Sequence, residues 1–126
     1  MVRLAFLVFL LMTLSSFHPQ SRRIVYIFGS GEQEAQVVQQ YKLFQERGPE
    51  CRERDLDIII VQKSVDPKRL YKHHGVHLDS FAVVLIGKVG TEKYRSDQIT
   101  QPEELFGLID SMPMRQYELR QKKRTG

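Results

Sequence analysis

The sequence predicts an α/β domain on a four-stranded mixed sheet of order 2-1-3-4, with helices on both faces. Three observations carry that prediction. Short runs rich in β-branched and aromatic residues, Ile24 to Phe28, Asp57 to Val61 and Phe81 to Ile86, read as buried strands. A stretch of helical period separates the first two runs and another closes the chain. Gly87-Lys88-Val89-Gly90 then folds the third run back on a more polar fourth, so those two form a hairpin.

Taken in order, Ile24-Val25-Tyr26-Ile27-Phe28 is the first strand and Gly29-Ser30-Gly31 breaks it. A helix from about Glu32 to Arg47 follows, with Val37, Val38, Tyr41 and Phe44 recurring on one face. Glu32 and Glu34 stand in its first turn, where negative charge suits the exposed amides. Gly48-Pro49 ends it. The second strand, Asp57 to Val61, precedes a short helix over Pro67 to His74 that Gly75 stops. After the third strand and the turn, Thr91 to Arg95 is polar enough to be a sheet edge. Thr100-Gln101-Pro102-Glu103 predicts a capping box, with proline in the first turn, for a last helix whose stripe is Leu105, Leu108, Ile109 and Met112. Pro113 is expected to stop that helix.

The order is thus β-α-β-α-β-β-α. A strand–helix–strand unit of this length is parallel and right-handed. Adding a hairpin and a closing helix gives the thioredoxin-like arrangement. A flavodoxin-like sheet would need another parallel strand and helix where this chain has the hairpin.

Length bounds the rest. A chain of 126 residues suffices for one domain, and 41% hydrophobic with 27% charged residues suits a soluble fold. Met1-Val2-Arg3, an apolar run from Leu4 to Leu14 broken only by Thr13, and Ser15-Ser16 read as a secretory leader over residues 1–16. The alternatives are an uncleaved anchor or a buried N-terminal strand. The domain is then expected over residues 22–114, followed by a basic tail over 115–126. Export places the protein in the periplasm or outside the cell, where Cys51, the lone cysteine, cannot form an intramolecular disulfide. It is expected to be an unpaired thiol at a helix end or to pair between chains.

The net charge of +4 has a local source. Arg115, Arg120, Lys122, Lys123 and Arg124 outnumber Glu118 by four, and the charges elsewhere cancel. Such a tail could favour weak association with anionic surfaces, although most basic C-termini are only solvated. With no tryptophan and no interleaving of exposed aromatic and basic residues, no nucleic-acid partner is expected.

Two segments carry a family resemblance. Phe81-Ala82-Val83-Val84-Leu85-Ile86-Gly87-Lys88-Val89-Gly90 is one; Pro102-Glu103-Glu104-Leu105-Phe106-Gly107-Leu108-Ile109-Asp110-Ser111-Met112-Pro113-Met114-Arg115 is the other and more specific. Through them the chain, from about Arg22 to Gln121, resembles an uncharacterised domain family of exported bacterial proteins. The same domain recurs in the C-terminal part of sushi-repeat-containing extracellular proteins. The resemblance implies a peroxiredoxin-like or thioredoxin-like fold and supplies no catalytic residues.

Chemistry is sparse. In a thioredoxin fold the reactive thiol stands at the N-terminus of the helix after the first strand, where the helix end stabilises a thiolate. Here that segment is Gly29-Ser30-Gly31-Glu32-Gln33-Glu34, without sulfur. The stretch before the third strand, His77-Leu78-Asp79-Ser80, also lacks the proline that accompanies such thiols. Cys51 lies past the far end of the first helix, roughly 25 Å along its axis. Ser30 with His73, His74 or His77 as a base has no spacing that requires contact, and Gly75 separates His73 from His77 as metal ligands. The expectation is therefore no catalytic residue, no metal and no cofactor. Ser30, Gly31 and Glu32 are the candidates for binding a protein or surface ligand, with a divergent Cys51 oxidoreductase as the alternative. The leader makes one prediction of its own. N-terminal mass spectrometry of the exported protein is expected to find a start downstream of about residue 16, and an intact Met1 would remove the cleaved leader.

Overall fold

The central strand takes its place from its alternation. In Arg23-Ile24-Val25-Tyr26-Ile27, successive side chains point to opposite faces, and both faces are apolar. In the computed structural model, which describes residues 22–125, this segment is β1 (Arg23–Phe28). It pairs in parallel with β2 (Leu56–Ile60) and antiparallel with β3 (Ala82–Ile86), which pairs antiparallel with β4 (Glu92–Ser96). The order is β2-β1-β3-β4, the mixed sheet that the sequence predicts. The leader expected over residues 1–16 lies outside the described residues.

Helices lie on both faces. Val25, Ile27, Val83 and Leu85 point to one side, where they pack with Val37 and Phe44 of α1 (Glu34–Gln45), Cys51 of α2 (Gly48–Glu53), and Leu105, Phe106 and Ile109 of α4 (Pro102–Asp110). Phe28, Ala82, Val84 and Ile86 point to the other, against Tyr71 of α3 (Pro67–His74). Pro67 opens α3, Asp66 caps it by accepting from the Arg69 amide, and Gly75 closes it with φ of 62°. All five residues of β3 are buried, as a strand with covered faces requires. The two edges differ: β4 carries Glu92, Lys93 and Arg95, whereas β2 carries Ile58, Ile59 and Ile60, each half-buried. No described helix is long and apolar enough to cross a membrane.

Four expectations are corrected. The first helix does not run unbroken from Glu32 to Arg47. A single 3-10 turn (Gly31–Gln33) leads into α1, the chain bends at Glu46-Arg47, and Gly48-Pro49 opens α2. Proline serves there because a first-turn amide has no intrahelical partner. Val38 is 60% exposed, and the buried position is Gln40 instead. Gln40 donates from Nε2 to the Thr100 carbonyl at 2.8 Å and accepts the Thr100 amide on Oε1 at 2.7 Å. Thr100, held this way, does not cap α4; Gln101 occupies the cap position without a side-chain bond. The Thr100 hydroxyl lies 3.3 Å from the Gln98 carbonyl and 3.2 Å from the Tyr94 hydroxyl.

The fourth correction concerns the basic tail. The preceding helix ends at Asp110, ahead of Pro113 as expected, but Pro113 also opens a further helix, α5 (Pro113–Thr125), and the body of the fold extends into it. Arg115, on its first turn, is 1% exposed and donates to the Glu53 carbonyl at 3.1 Å, to Glu53 Oε1 at 3.1 Å and to Asp110 at 3.3 Å. Glu118 meets Arg23 at 3.3 Å and Lys88 at 2.6 Å. Arg115 and Glu118 face the domain at i and i+3, and Arg120 and Lys122 to Arg124 remain as the basic end.

These contacts belong to one cluster at the end of the sheet where β1 and β2 begin. Arg23 is 1% exposed and also donates to the Arg54 carbonyl at 2.8 Å, while its amide donates to the Asp55 carbonyl at 2.8 Å. Lys88, in the β3–β4 turn, bridges Asp55 at 2.9 Å and Glu118. Arg54 joins Asp110 at 2.8 Å and covers the Phe106 ring at 4.6 Å. The Lys88 bond, against partial burial, holds the Asp55 carboxyl below its usual range, helped by Arg22 and Arg23. At Glu118 and Asp110 burial alone would raise the pKa. Lys88 and Arg23 outweigh it at the first, Arg54 and Arg115 at the second, and both end below the ordinary range.

Depressed carboxylate pKa values fix the sign of the pH dependence. Their stabilisation is complete above the unfolded-chain values of about 4 and is lost as pH falls through the lower folded values. Glu118→Gln is expected to destabilise the fold by about 2 kcal/mol or more at neutral pH, since it leaves buried Arg23 without its counter-charge. The difference from wild type should shrink below about pH 4. Denaturant unfolding at pH 7 and pH 3 checks this, and a difference independent of pH would refute it.

Candidate functional site

The opposite end of the sheet, where parallel β1 and β2 finish, is built from loops. Gly29 is packed hard against α1, such that a Cβ there would lie 2.6 Å from Val37 Cγ2. Its amide donates to the Tyr71 hydroxyl at 2.9 Å, which ties the loop to α3. Ser30 has extended backbone, and its hydroxyl donates to the Leu78 carbonyl at 2.9 Å. Gly31 has φ of 58° and open space around it, and Glu32 is exposed on the 3-10 turn. The buried Gln33 Oε1 has no hydrogen-bond partner among the described residues.

Two clefts meet at Ser30 and Gln62. One, of about 340 Å³, is walled by Gly31, Glu34, Val38 and Lys63. The other, of about 470 Å³, is walled by Asp66, Lys68, Tyr71 and Leu78. Val38 is 60% and Leu78 57% exposed, so apolar groups stand at the rim of both. The mixture of apolar rim and few polar groups suits a binding surface at the carboxyl ends of parallel strands. Ser30 and Gly31 both lie in it, whereas Glu32 stands beside it on the turn. The missed wall is Gln62, Lys63 and Leu78: a 3-10 turn after β2 and a loop before β3 leave no periodic signal in sequence.

The remaining candidates are dispersed. Cys51 is 6% exposed in α2, inside the core, with Sγ 3.9 Å from the Phe44 carbonyl. Burial, with Glu50 adding to it, pushes the thiol pKa up against the opposing pull of Arg54, Arg47 and Arg52. Between this sulfur and the Ser30 loop stands α1, whose 12 residues rise about 18 Å. Pairing between chains through Cys51 would require the thiol to leave the core. The His73 and His74 rings lie 4.8 Å apart, and His74 packs on Tyr26 at 5.0 Å. His77 stands in the loop before β3, and Ser30 bonds Leu78 rather than any imidazole. Among the described residues no group of three or more His, Cys, Asp or Glu is placed to hold a metal ion.

With the sheet order and this site in view, comparison with known families is decisive on one point. The family described as a domain of unknown function, DUF4174, matches residues 13–118. The chain belongs to the DUF4174 family. The DUF4174 match runs through β1 to α4 and into α5 as far as Glu118, the residue that bonds Arg23 and Lys88. No curated protein and no solved structure matches the chain.

Cys51 provides a direct test of the geometry. A disulfide reagent such as dithionitrobenzoate is expected to modify it at least about tenfold more slowly in the native protein than in denaturant. Equal rates would show that the thiol is not held in the core.

Proposed function

We propose that this DUF4174 chain is an exported, thioredoxin-like interaction module that binds a partner through the Ser30 loop and performs no thiol chemistry there. The observation that carries the reading is the content of that loop. The helix amide end that stabilises a thiolate in thiol enzymes here follows glycine, serine and glycine, with Glu32 and Glu34 beside it. The strand order and pairing senses support the thioredoxin-like assignment. The apolar run from Leu4 to Leu14 supports export to the envelope or the extracellular space. Ser30, Gly31 and Glu32 are the binding candidates, with Val38 and Leu78 as apolar anchors. The basic end of α5 adds weak attraction to anionic surfaces.

A divergent thiol oxidoreductase acting through Cys51 is the second reading, favoured only by the presence of that one sulfur. Burial and a raised pKa oppose it, because the thiolate is the reactive form. Assays of peroxide and disulfide reduction by the mature protein and by Cys51→Ser separate the two. No turnover above background is expected from either protein, and turnover that Cys51→Ser abolishes would replace the first reading with the second. For the binding role, a partner captured from the envelope fraction by wild type should be lost with Ser30→Trp, which places an indole where the two clefts meet. Capture unchanged by that substitution places the interaction elsewhere.

A further inference from the structure

The two faces of the sheet are unequally covered. One lies under α1, α2 and α4, but the other lies under α3 alone, eight residues or about 12 Å of helix. The uncovered part forms a groove of about 420 Å³, the lower range of small-ligand sites. Its apolar lining is Ile24, Tyr26, Leu70 and Ile86, and Arg69 and His73 also line it. His74 packs on Tyr26 and Phe28, and burial, reinforced by His73, pushes its pKa down.

The charge around the groove is segregated. The exposed positions of α3 are Lys68, Arg69, Lys72 and His73, without an acid among them. Two of the pairs, Lys68 with Lys72 and Arg69 with His73, are like-charged or both basic at i and i+4, a spacing that does not favour the helix. By contrast, Arg22, Arg23, Arg54, Lys88 and Arg115 each meet a carboxylate. No ion pair among the described residues engages Lys68, Arg69, Lys72 or His73. Asp66 also lines the groove, and its carboxylate accepts from the Arg69 backbone amide at 3.3 Å, which leaves the Arg69 guanidinium without an acidic partner among the described residues. An apolar floor beside unpaired cations is complementary to a molecule with an apolar body and a negative head.

We propose that this groove binds an anionic amphiphile, its chain over Ile24, Tyr26 and Ile86 and its head against Arg69 and His73. The chain displaces water from the half-exposed Ile24 and Tyr26, and the guanidinium forms charge-assisted hydrogen bonds with carboxylate or phosphate oxygens. The site lies on the sheet face, whereas the Ser30 clefts lie at the strand ends.

The test titrates the purified protein, below micelle concentrations, with dodecanoate, dodecyl phosphate, dodecanol, acetate and inorganic phosphate. Binding is read by calorimetry and by the methyl resonances of Ile24 and Ile86. Dodecanoate or dodecyl phosphate is expected to bind and shift both methyl groups, and the tighter of the two names the head group. Arg69→Glu, at an exposed position where folding is not at stake, should weaken binding by about tenfold or more. Ser30→Trp should leave it unchanged. The proposal is overturned if neither amphiphile binds or if dodecanol binds as tightly. It is also overturned if acetate or phosphate alone gives the same shifts, or if Arg69→Glu has no effect.

Discussion

A guanidinium buried at the start of the central strand is the constraint on which the rest of this fold depends. Arg23 cannot stay charged out of water without partners, and it takes them from segments far apart in the chain. The Arg54 carbonyl comes from the turn before β2 and Glu118 from α5, and Glu118 carries Lys88 of the hairpin turn with it. Asp55 contributes in an unusual way. It is the one non-glycine residue with positive φ among the described residues, at 51°. Its carbonyl accepts from the Arg23 amide and its carboxylate meets Lys88 at 2.9 Å, which offsets the strain of that backbone. One end of the sheet is thereby locked by charge, and the loops at the other end are free to carry recognition on a rigid base.

Much of this architecture was legible in sequence because it is written in periods. Strands β1, β2 and β3 are apolar runs, α3 is bracketed by Pro67 and Gly75, and the charged β4 announces an edge. What was illegible is written in contacts between distant residues. Nothing local marks Gln40 as the residue that bonds Thr100 twice, and the pattern Thr100–Glu103 reads more naturally as a helix cap. Arg23 left one usable trace: it shares parity with Val25 and Ile27 and so had to face the core. Arg115 and Glu118 left none, because they look like members of a charged run until Glu53, Asp110 and Lys88 are brought to them.

The candidate site was legible in a similar proportion. Its absence of sulfur is a sequence fact, and so is the loop that interrupts the first strand and helix. Its walls come from Gln62, Lys63 and Leu78, which only the fold gathers around Ser30. Charge was misread in an instructive way. The surplus that composition assigns to the last twelve residues is partly consumed by the clamp, whereas the cations of α3, balanced on paper by acids elsewhere, join no ion pair among the described residues.

Gly29 carries a consequence for engineering. Any side chain there would drive its first carbon into Val37, and Gly31 holds a left-handed backbone that substituents oppose. Of the three loop residues only Ser30, with extended backbone, could accept cysteine without meeting Val37 or straining a left-handed backbone. A cysteine placed in this loop therefore has one unstrained position, and one at Gly29 would need α1 to shift first.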